Sequence, residues 1–216
     1  MDILRFPVGE MQANCYFLIQ DKECLIVDPG DSADFILEEV QRRNLKVVGL
    51  LATHGHFDHV MAVGEIQVSL GIVNALPLHM HKNDEFLIRR LKETAKHFLR
   101  YDPAIILPQQ FEFVTERSMS IGSFQFEVIY TPGHTPGSCC FYFTEEQSLF
   151  TGDVLFKEGV GRYDFSYSNK TDLFQSLQKL FELDEVVSIY PGHGEDSLLQ
   201  IEKENIDEYF KLPQNF

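Results

Sequence analysis

The stretch Thr53-His54-Gly55-His56-Phe57-Asp58-His59 constrains this chain more than any other. It places three imidazoles and a carboxylate in the six positions from His54 to His59, directly after the apolar run at 47–52. A short apolar run of this kind reads as a buried strand, and a strand ending in such a cluster delivers it to the rim of a sheet, where ligands usually bind. His54 and His56 are two apart, so on extended backbone they face the same way. Asp58 is placed to cap the segment that follows, whose apolar positions Met61, Ile66 and Leu70 run helically until Gly71. Neutral imidazole and carboxylate are the ligand set of zinc and similar divalent ions. A solvated polar turn accounts for one or two histidines, but not for three with an aspartate.

The chain ahead of the cluster reads as strands around Ile3–Phe6, Cys15–Ile19 and Cys24–Val27, then the turn Val27-Asp28-Pro29-Gly30 and a helix from Asp34 to Arg43 closed by Asn44. Strand, turn, helix, strand, loop is an α/β order. A second apolar run at 72–76 leads to His79-Met80-His81, and an amphipathic helix is expected from Lys82 to Leu99, followed by a loop marked by Pro103 and Pro108. No carboxylate–histidine pair follows His79 and His81, so they are read as incidental. His97 is read as the surface of a charged helix.

The second half repeats the rhythm. Residues 123–130 alternate as a half-buried strand and end at Thr131-Pro132-Gly133-His134-Thr135-Pro136-Gly137-Ser138. Strands at 139–143 and 149–150 lead to Thr151-Gly152-Asp153. A helix from Thr171 to Leu183 and a strand at 186–190 lead to Pro191-Gly192-His193, and a last helix runs from Leu198 to Phe210. Thus His134, Asp153 and His193 each stand at a strand end beside glycine, where the backbone bends tightly and another group can approach. With His54, His56, Asp58 and His59 they make seven candidate ligands. That is more than one tetrahedral ion with an open position requires, and two ions sharing a ligand would use them all.

Composition narrows the partners. Of the 216 residues, 44% are hydrophobic and 24% charged, as in an ordinary globular protein, and one domain spanning 1–216 is expected. The net charge of −15 disfavours nucleic acid and anionic membranes, both of which call for a positive field. The four cysteines, Cys15, Cys24, Cys139 and Cys140, contain no C-x-x-C pair and are read as core thiols. Neither a secretory signal nor a span of membrane length is evident, so a cytoplasmic location is expected.

His54-Gly55-His56-Phe57-Asp58-His59 resembles the H-x-H-x-D-H motif of the metallo-β-lactamase superfamily, and the segments around His134, Asp153 and His193 match that family's order over nearly the whole chain. The resemblance implies a four-layer αββα sandwich. It implies that His54, His56 and His134 hold one ion, that Asp58, His59 and His193 hold a second, and that Asp153 bridges them. Asp28 would orient a ligand imidazole from behind. The ions are expected to be zinc, with iron or manganese as alternatives. Two ions at close range lower the pKa of a shared water, so a metal-bridging hydroxide rather than a serine or cysteine would attack the substrate.

The segment Phe156-Lys157-Glu158-Gly159-Val160-Gly161-Arg162-Tyr163-Asp164-Phe165 resembles the one that follows the bridging aspartate in hydroxyacylglutathione hydrolases (glyoxalase II). By that resemblance Arg162 and Tyr163 contact substrate, and Asp58, Asp153 and Arg162 carry catalysis on a small hydroxyacyl thioester such as S-lactoylglutathione. The competing reading of Arg162 is an ion pair with Asp164. Only residues 198–210 are read as a helix beyond the last motif, which resembles the short bacterial type rather than forms with a helical C-terminal domain. Persulfide dioxygenases share the scaffold and a similar Gly-Arg-x-Asp-Phe segment but use one iron, so an iron oxidoreductase is the first alternative. Hydrolysis of other esters, lactones or phosphodiesters is the next. Oligomeric state is left open.

Overall fold

Along the first hairpin, β1 (Asp2–Val8) and β2 (Ala13–Gln20), successive side chains enter two different cores. Cys15 and Phe17 face one side of β2, Tyr16 and Leu18 the other, and all four are buried. A strand buried on both faces reads as a continuous apolar run rather than as alternation. The computed structural model describes residues 1–70, 76–184 and 186–211.

The first sheet continues through β3 (Glu23–Val27), α1 (Ala33–Arg42) and β4 (Lys46–Leu51). After α2 (Phe57–Val60) and α3 (Val63–Leu70) come β5 (Leu78–His81), a 3-10 turn (Lys82–Asp84), α4 (Glu85–Arg89), α5 (Leu91–Leu99) and β6 (Phe111–Val114). Its order is β1-β2-β3-β4-β5-β6, antiparallel across the first three strands and parallel thereafter.

The second sheet holds β7 (Arg117–Ile121), β8 (Phe124–Tyr130), β9 (Cys139–Phe143) and β10 (Ser148–Gly152). The small hairpin of β11 (Leu155–Phe156) and β12 (Gly159–Val160) and the helix α6 (Lys170–Leu180) precede β13 (Ser188–Pro191), β14 (Ser197–Leu198) and α7 (Leu199–Lys211). The sheet order is β14-β13-β10-β9-β8-β7, with β10 and β13 parallel. Asn169 starts α6 by accepting from the amides of Thr171 and Asp172, which satisfies two donors the helix cannot pair internally.

Three apolar clusters order the layers. Tyr16, Leu18, Leu25 and Leu51 of the first sheet meet Phe126, Phe141, Phe143 and Phe150 of the second. On the outer face of the first sheet lie Ile36 and Val40 of α1, Ile66 of α3 and Leu91 and Ala95 of α5. On the outer face of the second lie Leu173 and Leu177 of α6 and Leu199 and Ile206 of α7. Helices, sheet, sheet and helices form the αββα sandwich. Each fully buried aliphatic side chain contributes roughly 1.5–3 kcal/mol toward holding it.

Several local expectations are corrected. The single helix expected over 82–99 is a 3-10 turn and two helices, broken at Arg90, whose φ of −105° and ψ of 12° leave the α region. Asp58 does not cap the helix after the histidines. His56 occupies the N-cap position and Asp58 sits within the first turn, where a negative charge still favours the helix dipole. The stretch after Pro108 contains β6 and β7, which pair with different sheets. The apolar run at 72–76, apart from buried Leu76, lies outside the described residues.

Candidate metal centre

Four strand ends converge on one rim of the sandwich. β4 leads into His54 and His56, α2 carries Asp58 and His59, the β8–β9 loop carries His134, and β10 and β13 end just before Asp153 and His193. Main-chain bonds lace the rim together: Asn14 N donates to Gly192 O (2.7 Å), Gly192 N to Gly152 O (2.9 Å) and Cys139 N to Thr53 O (2.8 Å). A Cβ on Gly192 would overlap Asp153 Oδ1 and come within 2.7 Å of the His59 ring, so β13 can pass this close only with glycine there.

Outer partners fix the tautomers of His54 and His134. His134 Nδ1 donates to the Arg162 carbonyl oxygen at 2.7 Å, which leaves the Nε2 lone pair facing inward. Thr53 Oγ1 donates to Asp28 Oδ2 (2.7 Å) and so accepts from His54 Nδ1 (3.1 Å). His56 Nε2 lies 2.8 Å from the Tyr167 hydroxyl, a group that can accept from it or donate to it. Consequently His54 Nε2 and His134 Nε2 turn lone pairs inward, and His56 Nδ1 lies 3.0 Å from each of them. A single His56 proton can satisfy at most one of these two lone pairs at a time, whereas a cation at the centre of the three rings satisfies all three nitrogens when His56 carries its proton on Nε2. This donor set fits a divalent ion.

Asp58, His59 and His193 form a second group beside the first, which comprises His54, His56, His134 and Asp153. Within each group the candidate ligand atoms lie within 4.8 Å of one another. Asp58 Oδ2 stands 3.3 Å from His193 Nε2. Asp153 reaches both groups, with Oδ2 3.6 Å from His134 Nε2 and 3.9 Å from His193 Nε2, and Oδ1 3.5 Å from His59 Nε2. Among the described residues, His59 Nε2 and Asp153 Oδ1 are buried without a hydrogen-bond partner. Such orphaned, facing atoms are what a shared cation would satisfy.

The electrostatics divide the histidines. Burial, helped by neighbouring imidazoles, lowers the pKa of His54 and His56; burial lowers that of His134 as well. Burial also opposes a charged His59, but Asp58, Asp153 and Asp28 outweigh it and raise that pKa to about 10. His193 is raised too, against burial, by Asp58 and Asp153. Asp58 is held well below the carboxylate range, with His59 and His193 overcoming burial. Asp28 itself sits at φ 52° with both oxygens engaged: Oδ1 accepts from Thr53 N (2.7 Å), and Oδ2 from Thr53 Oγ1 and His59 Nδ1 (3.0 Å).

A cleft of about 290 Å³ opens over these groups, walled by Met11, Phe57, Phe98, Phe156, Phe165 and Arg162. Arg162 is mostly exposed and paired in a fork with Asp164 (2.9 and 3.0 Å), and its guanidinium lies 4.5 Å over the Phe165 ring. Arg162 is thus ion-paired with Asp164, as the competing reading expects, and it also lines the cleft. Tyr163 instead packs beside Phe174 and lines a neighbouring pocket. The tyrosine that reaches a cluster histidine is Tyr167, stacked on Phe165 and bonded to His56. Its position fourteen residues after Asp153 carries no local signal that would have singled it out.

The remaining candidates lie elsewhere. His81 stacks on Tyr130, His79 is buried near Glu112, and His97 is exposed. Neither His79 nor His81 joins a group of potential ligands among the described residues. The four cysteines are buried and free, and burial raises their pKa values, to about 12 for Cys24 and Cys140.

The sequence matches the Metallo-beta-lactamase superfamily over residues 8–193. The chain belongs to that superfamily. Its relatives include the hydroxyacylglutathione hydrolase GloC of Haemophilus influenzae, 34% identical over 205 residues that cover 94% of this chain and 95% of the relative. The crystal structure of BLEG-1 B3 metallo-beta-lactamase superposes with a TM-score of 0.86 at 31% identity, covering 94% of this chain and 97% of that one. TTHA1623, crystallised in a di-iron-bound form, gives 0.85 at 32% identity, with 94% and 98% covered. With its histidine and aspartate clusters, this member of the superfamily is a metal-dependent hydrolase. Among the described residues no helix is long and apolar enough to cross a membrane.

Proposed function

We propose that this protein hydrolyses thioesters of small hydroxy acids at a two-ion centre. The observation that carries the reading is the pair of adjoining ligand groups with Asp153 in reach of both. The 34% identity to GloC and the presence of Arg162 at the cleft support the choice of substrate.

His54, His56 and His134 would hold one ion, Asp58, His59 and His193 the other, and Asp153 both. Bound there, divalent ions supply Lewis acidity toward a carbonyl and lower the pKa of water. The chain's own residues do the rest. Asp28, Thr53 and the Arg162 carbonyl hold ring protons on the outer nitrogens, so the inner lone pairs stay available. Phe57, Phe98, Phe156 and Phe165 present an apolar wall that limits water around the acyl group. Arg162, held flat by Phe165 and Asp164, keeps its remaining N–H groups for a substrate oxygen. Zinc is the expected metal, with iron or manganese as alternatives; the relative TTHA1623 has been crystallised with two irons.

The test is metal analysis of protein purified without added metal, paired with hydrolysis assays on S-lactoylglutathione, a neutral thioester and a chromogenic cephalosporin. Two ions per chain and turnover of the thioesters are expected. Occupancy fixed at one ion, or activity on the lactam alone, would overturn the reading.

A further inference from the structure

Asp84 is fully buried, at 0% exposure, and belongs to none of the potential ligand groups among the described residues. It stands at the N-cap position of α4, where an aspartate ordinarily accepts from its own helix, yet it makes no such bond. Its oxygens are engaged elsewhere. Oδ2 accepts from Gly55 N (2.8 Å) and Thr135 Oγ1 (2.7 Å), and Oδ1 accepts from Gly137 N (2.6 Å). Gly55 lies between His54 and His56, and Thr135 follows His134. The three donors therefore come from the two separate loops that carry the three-histidine group.

Both glycines make room for this carboxylate. A Cβ on Gly55 would lie 3.0 Å from Asp84 Cβ, and one on Gly137 would lie 2.6 Å from Asp84 Cγ. Burial raises the Asp84 pKa to about 6, while the three hydrogen bonds oppose the rise. A buried carboxylate with three donors from two loops fixes the distance between those loops, because moving either leaves a charged acceptor under-bonded in a dry site.

We propose that Asp84 is a positioning residue that sets the spacing of His54 and His56 against His134, and so the geometry of the three-histidine ion site. The proposal rests on the metal reading above and adds a residue that touches no ion. It makes a selective statement: the three-histidine site depends on Asp84, and the Asp58/His59/His193 site does not.

The test uses Asp84→Asn, whose amide group cannot accept from all three donors, in two backgrounds. In His193→Ala the three-histidine group remains complete; in His56→Ala the other group does. Cobalt affinity and the visible cobalt spectrum are read for each, with far-UV circular dichroism as the check on folding. Asp84→Asn should weaken cobalt binding about 10–100-fold in the first background and shift its spectrum, as loss of an outer-sphere support does. Binding in the second background should stay within about twofold. No loss in the first background, or equal loss in both, overturns the proposal. If Asp84→Asn does not fold, Thr135→Val removes a single donor and should give the same selectivity with a smaller loss. If neither background binds cobalt even with Asp84 present, the metal reading itself fails. The brace is then judged by amide exchange at Gly55 and Gly137, where unchanged protection in Asp84→Asn overturns it.

Discussion

Asp28 and His59 stand 31 positions apart in sequence and share a 3.0 Å bond from Nδ1 to Oδ2, both side chains buried. Removing the carboxylate leaves the Thr53 amide and the His59 Nδ1–H unpaired away from water, at about 1–3 kcal/mol each. Asp28→Ala should therefore lower Tm by roughly 4–24 °C and weaken metal binding by about 10–100-fold. Calorimetry and competitive metal titration would check the two figures; normal metal affinity in the variant would remove Asp28 from its role.

Asp58→Ala should act on one ion only. Asp58 Oδ2 faces His193 and His59, not the three-histidine group. Occupancy measured by mass spectrometry of the native protein should fall from two ions to about one. Loss of both ions together would mean that the two groups do not load independently.

The metal-free protein should lose stability at both ends of the pH range, for opposite reasons. His54, His56 and His134 have folded pKa values below the ordinary 6.5, so the unfolded chain binds more protons as pH falls through 6.5, and stability drops on the acid side. His59 is raised to about 10, so its contribution is complete below 6.5 and disappears as pH rises through 10. Melting of chelator-treated protein between about pH 5 and 10 checks both arms. His59→Gln should abolish the alkaline loss attributable to His59 and leave the acid loss.

Arg162→Ala should reduce kcat/KM for S-lactoylglutathione by about fivefold, roughly 1 kcal/mol. The figure is smaller than for a buried charged contact because the guanidinium is mostly exposed and already paired with Asp164. A neutral thioester should suffer less, and metal content should not change. Equal losses on both substrates would show that the side chain does not read substrate charge.

Cys139→Ala and Cys140→Ala, made singly, should keep most of the activity. Their thiols point into two different cores and stay protonated, so neither supplies a nucleophile. Trapping an acyl group on either sulfur would contradict this.

The seven clustered residues were legible in the sequence because strand ends and flanking glycines mark them locally. The sandwich itself rested on resemblance, since runs such as Cys15–Leu18 are apolar on both faces and periodicity alone does not separate a doubly buried strand from a short helix. The break at Arg90 was hidden because apolar spacing continues across it. Asp84 and Tyr167 were invisible for another reason. Their partners lie 29 to 111 positions away, and nothing in the neighbouring residues records such a bond.

Arg162 serves the cluster and the cleft wall through different atoms. His134 is bonded to the carbonyl oxygen of Arg162, whereas the cleft is lined by the Arg162 side chain. Every amino acid carries that carbonyl. Position 162 can therefore exchange its side chain, and with it part of the cleft wall, while His134 keeps the carbonyl that holds its proton. The wall of the cleft is replaceable there in a way that the support of His134 is not.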